Sequence, residues 1–126
     1  MAKQTKLVPA ARPFLKWAGG KTQLLNEFSK RLPGDLKKGK ITRYVEPFIG
    51  GGAFFFYLNQ RFSFEQCYIC DVNDELILSY RVIKRATKKL MAELEALETD
   101  YLSKNDEERE SYFYEVRDAF NKKLPE

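Results

Sequence analysis

The segment FLKWAGGKTQLL, residues 14–25, ends in Gly-Lys-Thr, the tail of a loop that cradles phosphates with backbone N–H groups and a lysine. The complete loop pattern needs a glycine where this chain has Leu15, and a buried strand directly upstream. The upstream residues are KLVPAARPF, whose Pro9 and Pro13 fit a central strand poorly. Lys21 therefore needs another explanation.

A second stretch, YVEPFIGGGAFFF, reads as a strand, then Gly50-Gly51-Gly52, then a helix. Glycines at a strand end permit positive φ and let the backbone approach a ligand closely. About twenty residues later Asp71 ends a second strand, where nucleotide-binding α/β folds place a carboxylate on ribose hydroxyls. A carboxylate can accept two hydroxyl protons together. A tight turn opening a helix remains the plainer alternative on spacing alone. The glycines do not follow the dinucleotide pattern GxGxxG, and Glu46 just before them would repel a phosphate. A ligand with a ribose and a positive group suits the turn better, and S-adenosylmethionine has both.

The chain contains no histidine, which removes the commonest general base and metal ligand. Cys67 and Cys70 lie three apart in the apolar run CYIC. On a strand they face opposite sides and cannot jointly bind zinc or act as a dithiol. No metal site is expected. The 126 residues suit one domain, and ten Phe, seven Tyr and one Trp predict an aromatic-rich core. A net charge of +4 permits a polyanionic partner without requiring one. No run is apolar enough to span a membrane, and no signal peptide is visible, so a cytoplasmic location is expected.

These residues need elements to hold them. Residues 1–12 read as a basic arm, and residues 20–32 as a helix with Leu24, Leu25, Phe28 and Leu32 along one face. GDLKKGK reads as a solvated loop, and ITRYVEPF and QCYICDV as buried strands flanking the helix after the glycines. NDELILSYRVIKR predicts a helix with Asn73 as N-cap, Thr87 restarts a helix, and Asn105 precedes another that runs to about Asn121. The alternation indicates a parallel α/β sheet, yet two strands are few for one.

Together FLKWAGGK, VEPFIGGGAFF and CDVNDELI resemble the opening of the Dam-type DNA adenine methyltransferases, and YFYEVRDAFN resembles that family's YYxxRxxFN. The resemblance covers almost the whole chain. It implies an S-adenosylmethionine-dependent methyltransferase fold of Rossmann-like kind, present as an incomplete N-terminal portion with few strands. By resemblance, residues 1–104 belong to the cofactor-binding part, and residues 105–126 begin the DNA target-recognition region. The same likeness puts Trp17, Ala18, Gly19, Lys21, Glu46, Pro47, Phe48, Gly50, Gly52, Asp71 and Asn73 around S-adenosylmethionine. Lys21 would meet the methionine carboxylate, Trp17 would form a wall and Asp71 would hold the ribose. Lys16 would face duplex DNA, although an ordinary solvated lysine explains it equally well.

The family's chemistry resides in an Asp-Pro-Pro-Tyr motif acting on a base extruded from the duplex. None of the 126 residues forms that motif. The chain is therefore expected to carry no catalytic residue, to need a C-terminal catalytic segment or second chain, and to self-associate when alone. Its possible setting includes restriction-modification. A non-catalytic S-adenosylmethionine-binding module, half of a split enzyme and a phosphate-binding ATPase are the alternatives.

Overall fold

The computed structural model describes residues 10–19 and 21–123. Most of the N-terminal arm, and Gly20 of the Gly-Gly-Lys segment, lie outside the described residues. The chain divides into two compact units, Met1–Leu78 and Ser79–Glu126.

In the first unit a 3-10 turn, Lys21–Leu24, leads into α1, Leu25–Lys30. The expected helix is thus shorter and tighter at its start, and Leu24 points outward, 48% exposed. The segment expected to be a solvated loop contains a short helix, α2 (Gly34–Lys37), which buries Leu36. Pro33 supplies the extended entry to it, with ψ at 141°. A single apolar residue among lysines gives no periodicity, but it suffices to pin one turn.

Strand β1, Arg43–Glu46, and strand β2, Gln66–Ile69, pair in parallel with Arg43 opposite Gln66 and Glu46 opposite Ile69. They are joined through α3, Ala53–Asn59, the crossover that parallel pairing requires. The architecture is mixed α/β with a two-stranded sheet among the described residues. Leu36, Ile49, Leu58 and Leu76 form the buried centre of this unit. Aromatic rings flank it: Tyr44 lies against Phe54, Phe55 and Phe64, with centroids 6.5, 6.1 and 5.5 Å away.

The strands are less buried than expected. Tyr44 turns toward α3, while its neighbour Val45 and the cross-strand partner Tyr68 are 62% and 53% exposed. Alternation puts them on the other sheet face, which no described element of this unit covers. Cys67 and Cys70 are both free and exposed, with Cys70 just past the end of β2. Among the described residues no group of three or more His, Cys, Asp or Glu could hold a metal ion, and no helix is long and apolar enough to cross a membrane.

Helix α4, Asp74–Leu102, begins in the first unit and runs through the second. Asn73 caps it, its Oδ1 accepting the Leu76 N–H at 2.9 Å. The backbone leaves helical geometry at Ala86, next to the expected restart at Thr87. Helix α5, Asp106–Asn121, starts and stops where the sequence indicates. Asn105 and Glu108 form a reciprocal capping box: Asn105 Oδ1 accepts the Glu108 N–H at 3.0 Å, and Glu108 accepts the Asn105 N–H at 2.9 Å. Asn105→Ala should therefore cost about 1 kcal/mol of α5 stability, whereas Asn105→Ser should cost much less. Urea titration followed by far-UV circular dichroism checks this, and equal midpoints for wild type and Asn105→Ala would refute it.

Candidate functional site

The glycine turn is tied to the ends of both strands. Beyond the sheet proper, the Cys70 N–H donates to the Glu46 carbonyl at 2.8 Å and the Ile49 N–H to the Cys70 carbonyl at 2.9 Å. The Gly50 N–H then donates to Asp71 Oδ2, and the Asn73 N–H to Asp71 Oδ1, each at 3.0 Å. Those two amides, Asn73 first, hold the Asp71 carboxyl below its ordinary pKa. Asp71 thus stays ionised and clamps the turn after β1 to the end of β2. A carboxylate offers about four lone-pair sites, so two accepted bonds leave capacity for hydroxyl groups of a ligand.

Gly50 and Gly52 have φ of +51° and +78°, the left-handed region in which glycine is favoured. Gly52 in this conformation is the N-cap of α3. The middle glycine serves by smallness: a Cβ on Gly51 would lie 3.3 Å from the Trp17 Cβ and 3.4 Å from the Leu15 carbonyl oxygen. One on Gly50 would lie 3.3 Å from the Trp17 indole. The FLKWAGGK segment therefore packs directly on the glycine turn. Gln60, the C-cap of α3, helps hold it there, donating to the Ala11 carbonyl.

Between the two segments lies a cavity of about 440 Å³, lined by Lys16, Trp17, Gly19, Lys21, Gly50 and Gly52 together with Pro13, Leu15, Thr22, Gln23, Ile49, Gly51 and Ala53. Six of the residues singled out from sequence thus share one cavity, and Asp71 is bonded to its wall. Ala18, Pro47 and Phe48 are exposed and do not line it. Asn73 contributes its side-chain oxygen to the cap of α4.

Lys21 Nζ donates to the Phe48 carbonyl at 2.7 Å and lies 3.4 Å from Glu46 Oε1. Glu46 is only 6% exposed, and its other oxygen accepts the Tyr44 hydroxyl at 2.7 Å. Burial, then the hydrogen bond to Glu46, pushes the Tyr44 phenol far above its usual pKa, so it remains a donor. The buried carboxylate is thereby compensated on both oxygens, as burial of a charge demands. Tyr44, Thr22 and Gln23 were not singled out from the sequence. Tyr44 could have been found, since residues two apart on a strand share a face.

A protein-family comparison matches residues 17–126 to the D12 class N6 adenine-specific DNA methyltransferases. The chain belongs to that family. Among curated relatives, it is 49% identical over 111 residues to the Type II methyltransferase M.MjaIII of Methanocaldococcus jannaschii, covering 88% of this chain and 38% of that protein. It is 37% identical over 114 residues to the DNA adenine methylase of Escherichia coli (strain K12), covering 88% of this chain and 34% of the relative. The DNA N-6-adenine-methyltransferase of Escherichia phage P1 is 35% identical over 125 residues, covering 97% of this chain and 14% of the relative. The chain thus spans well under half the length of these three relatives. No solved structure matches it.

Two different glycine requirements give separable expectations. Gly52→Val must place a β-branched residue at φ +78° and should disrupt the turn together with the start of α3. Gly51→Ala has no such backbone demand and should instead displace Trp17 by a few tenths of an ångström. Tryptophan fluorescence should shift in Gly51→Ala while far-UV circular dichroism stays unchanged. An unshifted spectrum would mean that the segment does not rest on the turn.

Proposed function

We propose that this chain provides the S-adenosylmethionine-binding part of a DNA methyltransferase that modifies the exocyclic amine of adenine in duplex DNA, on a Rossmann-like methyltransferase fold. The observation that carries the proposal is the Asp71 clamp on the glycine turn beside the cavity holding Trp17 and Lys21. The donor set fits the cofactor. Asp71 has acceptor capacity for ribose hydroxyls, Lys21 suits a carboxylate, and Glu46 suits an ammonium. Trp17 supplies an aromatic wall, and Glu46, Pro47, Phe48, Gly50 and Gly52 make the turn. Ala18, Gly19 and Asn73 complete the proposed cofactor set, and Lys16 faces DNA. When bound, S-adenosylmethionine supplies an electrophilic methyl group. This chain's residues bind and orient it, and an Asp-Pro-Pro-Tyr segment outside these residues would act on the flipped adenine. Residues 1–104 then form the cofactor part, and residues 105–126 begin target recognition.

The phosphate-loop alternative is disfavoured by specific contacts. Lys21 is drawn to a buried carboxylate, whose charge repels phosphate. The second glycine segment offers no substitute cradle, since the amides of Ile49, Gly50 and Gly52 are bonded to Cys70, Asp71 and Ile49. Calorimetry should therefore show binding of S-adenosylmethionine and none of ATP. In a folded Asp71→Ala variant, loss of a charge-assisted hydrogen bond worth roughly 1.5–3 kcal/mol should weaken S-adenosylmethionine about ten-fold or more. Asp71→Asn should be milder, since its amide oxygen still accepts. Unchanged affinity in folded Asp71→Ala, or preference for ATP, would sink the assignment.

Among the described residues β1 and β2 each have an outer edge without a strand partner, and this together with the exposed Val45–Tyr68 face supports a requirement for further strands. The chain alone should self-associate and leave DNA unmethylated, in line with the absence of Asp-Pro-Pro-Tyr from its sequence. Transfer of labelled methyl to duplex DNA and light scattering measure the two properties. Methylation by the isolated 126-residue chain, confirmed by intact mass, would refute the division of labour.

A further inference from the structure

Helix α4 carries Arg81, Lys84, Arg85, Lys88 and Lys89, a spacing of three and four residues that repeats along a helix. All five are exposed. No carboxylate occurs in the sequence between Glu75 and Glu93. Among the described residues, no acidic side chain pairs with any of the five. Elsewhere in the helices the pattern differs: Lys30 and Arg31 share Glu27, Lys104 pairs with Asp100, and Arg109 pairs with Asp106. Within the uninterrupted turn, Arg81 faces Lys84 and Arg85 at like-charge spacings that destabilise a helix. The stripe thus retains mutual repulsion that a row of phosphates would relieve.

We propose that this basic stripe, made of residues other than those of the cofactor cavity and Lys16, is a docking surface for the sugar-phosphate backbone of duplex DNA. The proposal rests on the reading of the chain as part of a DNA methyltransferase, which makes duplex DNA the polyanion at hand. Five cations among the nine residues from Arg81 to Lys89 are enough to neutralise about three phosphates of one strand. Its side chains are point charges and guanidinium groups with no aromatic ring between Tyr80 and Tyr101 to stack on a base, a composition suited to phosphate contacts. The helical break at Ala86 lies inside the stripe, placing Arg81, Lys84 and Arg85 on one side and Lys88 and Lys89 on the other.

The test measures binding of a labelled duplex by the whole chain as a function of salt. One variant replaces the five basic residues by glutamine. A control removes the same formal charge through Lys37→Gln, Lys38→Gln, Lys40→Gln, Lys122→Gln and Lys123→Gln. The stripe variant should lose roughly 2–3 from the magnitude of the slope of log affinity against log salt, at about 0.9 per phosphate contact, while the control keeps a slope near wild type. The smaller pair Lys88→Gln/Lys89→Gln, with helicity checked by circular dichroism, should lose part of the slope even if the five-fold variant fails to fold. Equal losses in stripe and control variants, no loss in the folded pair, or stripe-dependent binding to phosphatidylserine vesicles without binding to DNA would overturn the proposal. Calorimetry with S-adenosylmethionine on the same proteins separates the two readings. Cofactor binding without a stripe effect defeats this proposal alone, and a stripe effect without cofactor binding defeats the cofactor assignment alone.

Discussion

The carboxylate of Asp71 is the constraint on which the arrangement of the site depends. A two-stranded parallel sheet of four-residue strands offers few ladder bonds. The turn that follows β1 passes through two left-handed glycines, which lose more conformational freedom on ordering than other residues do. Asp71 offsets that cost by fixing Gly50 on one side and Asn73 on the other with charge-assisted bonds. Because its carboxyl is held below the usual range, the stabilisation is complete above the unfolded value. It fades as pH falls below the unfolded value and is lost once pH has passed the depressed folded value. The same residue also orients the entry to α4, since Asn73, fixed through its amide, turns its side chain to cap Leu76.

The clamp has a consequence for the FLKWAGGK segment. A turn immobilised with a small middle residue presents a flat backbone surface, and Trp17 lies on it at contact distance from the would-be side chains of Gly50 and Gly51. Lys21 is thereby brought within reach of Glu46, 25 residues further along the chain. Its ammonium is pinned by the Phe48 carbonyl, and Tyr44 occupies the other oxygen of Glu46. A lysine and a buried glutamate side by side make a locally neutral wall carrying both signs of charge. Such a pair suits a zwitterionic group far better than the concentrated negative charge of a triphosphate, which is why the role proposed for Lys21 is not that of a phosphate-loop lysine.

What could be read from the sequence was governed by how local the signal is. The Gly50–Gly52 turn, the position of Asp71 and the start of α5 after Asn105 are local patterns, and the structure places them as expected. The helix at Gly34–Lys37 escaped because its one buried contact, Leu36, depends on residues distant in sequence such as Tyr44, Phe54 and Leu58, which share its apolar cavity. Burial of both strand faces was overestimated for a related reason. An apolar run reports that a surface is to be covered, and not by what. Val45 and Tyr68 keep their apolar side chains on a face that no described element of the unit covers.

The hydrogen-bond inventory of the turn finally decides which parts of the site are open to a ligand. Ile49, Gly50 and Gly52 direct their amides to acceptors within the protein, so the backbone is committed to holding the turn's shape. In the proposed cofactor site recognition therefore falls on side chains beside the turn: Trp17 and Lys21 from the cavity lining, and Asp71 and Glu46 bonded to Gly50 and Lys21. These groups differ in what they can bind: an acceptor pair for vicinal hydroxyls, opposite charges for an amino acid end, and an aromatic face. A ligand that satisfies all of them needs a ribose at one end and a zwitterion at the other. S-adenosylmethionine, the cofactor proposed above, is a molecule of this kind, and the turn's part in that proposal is to hold the recognising side chains in place.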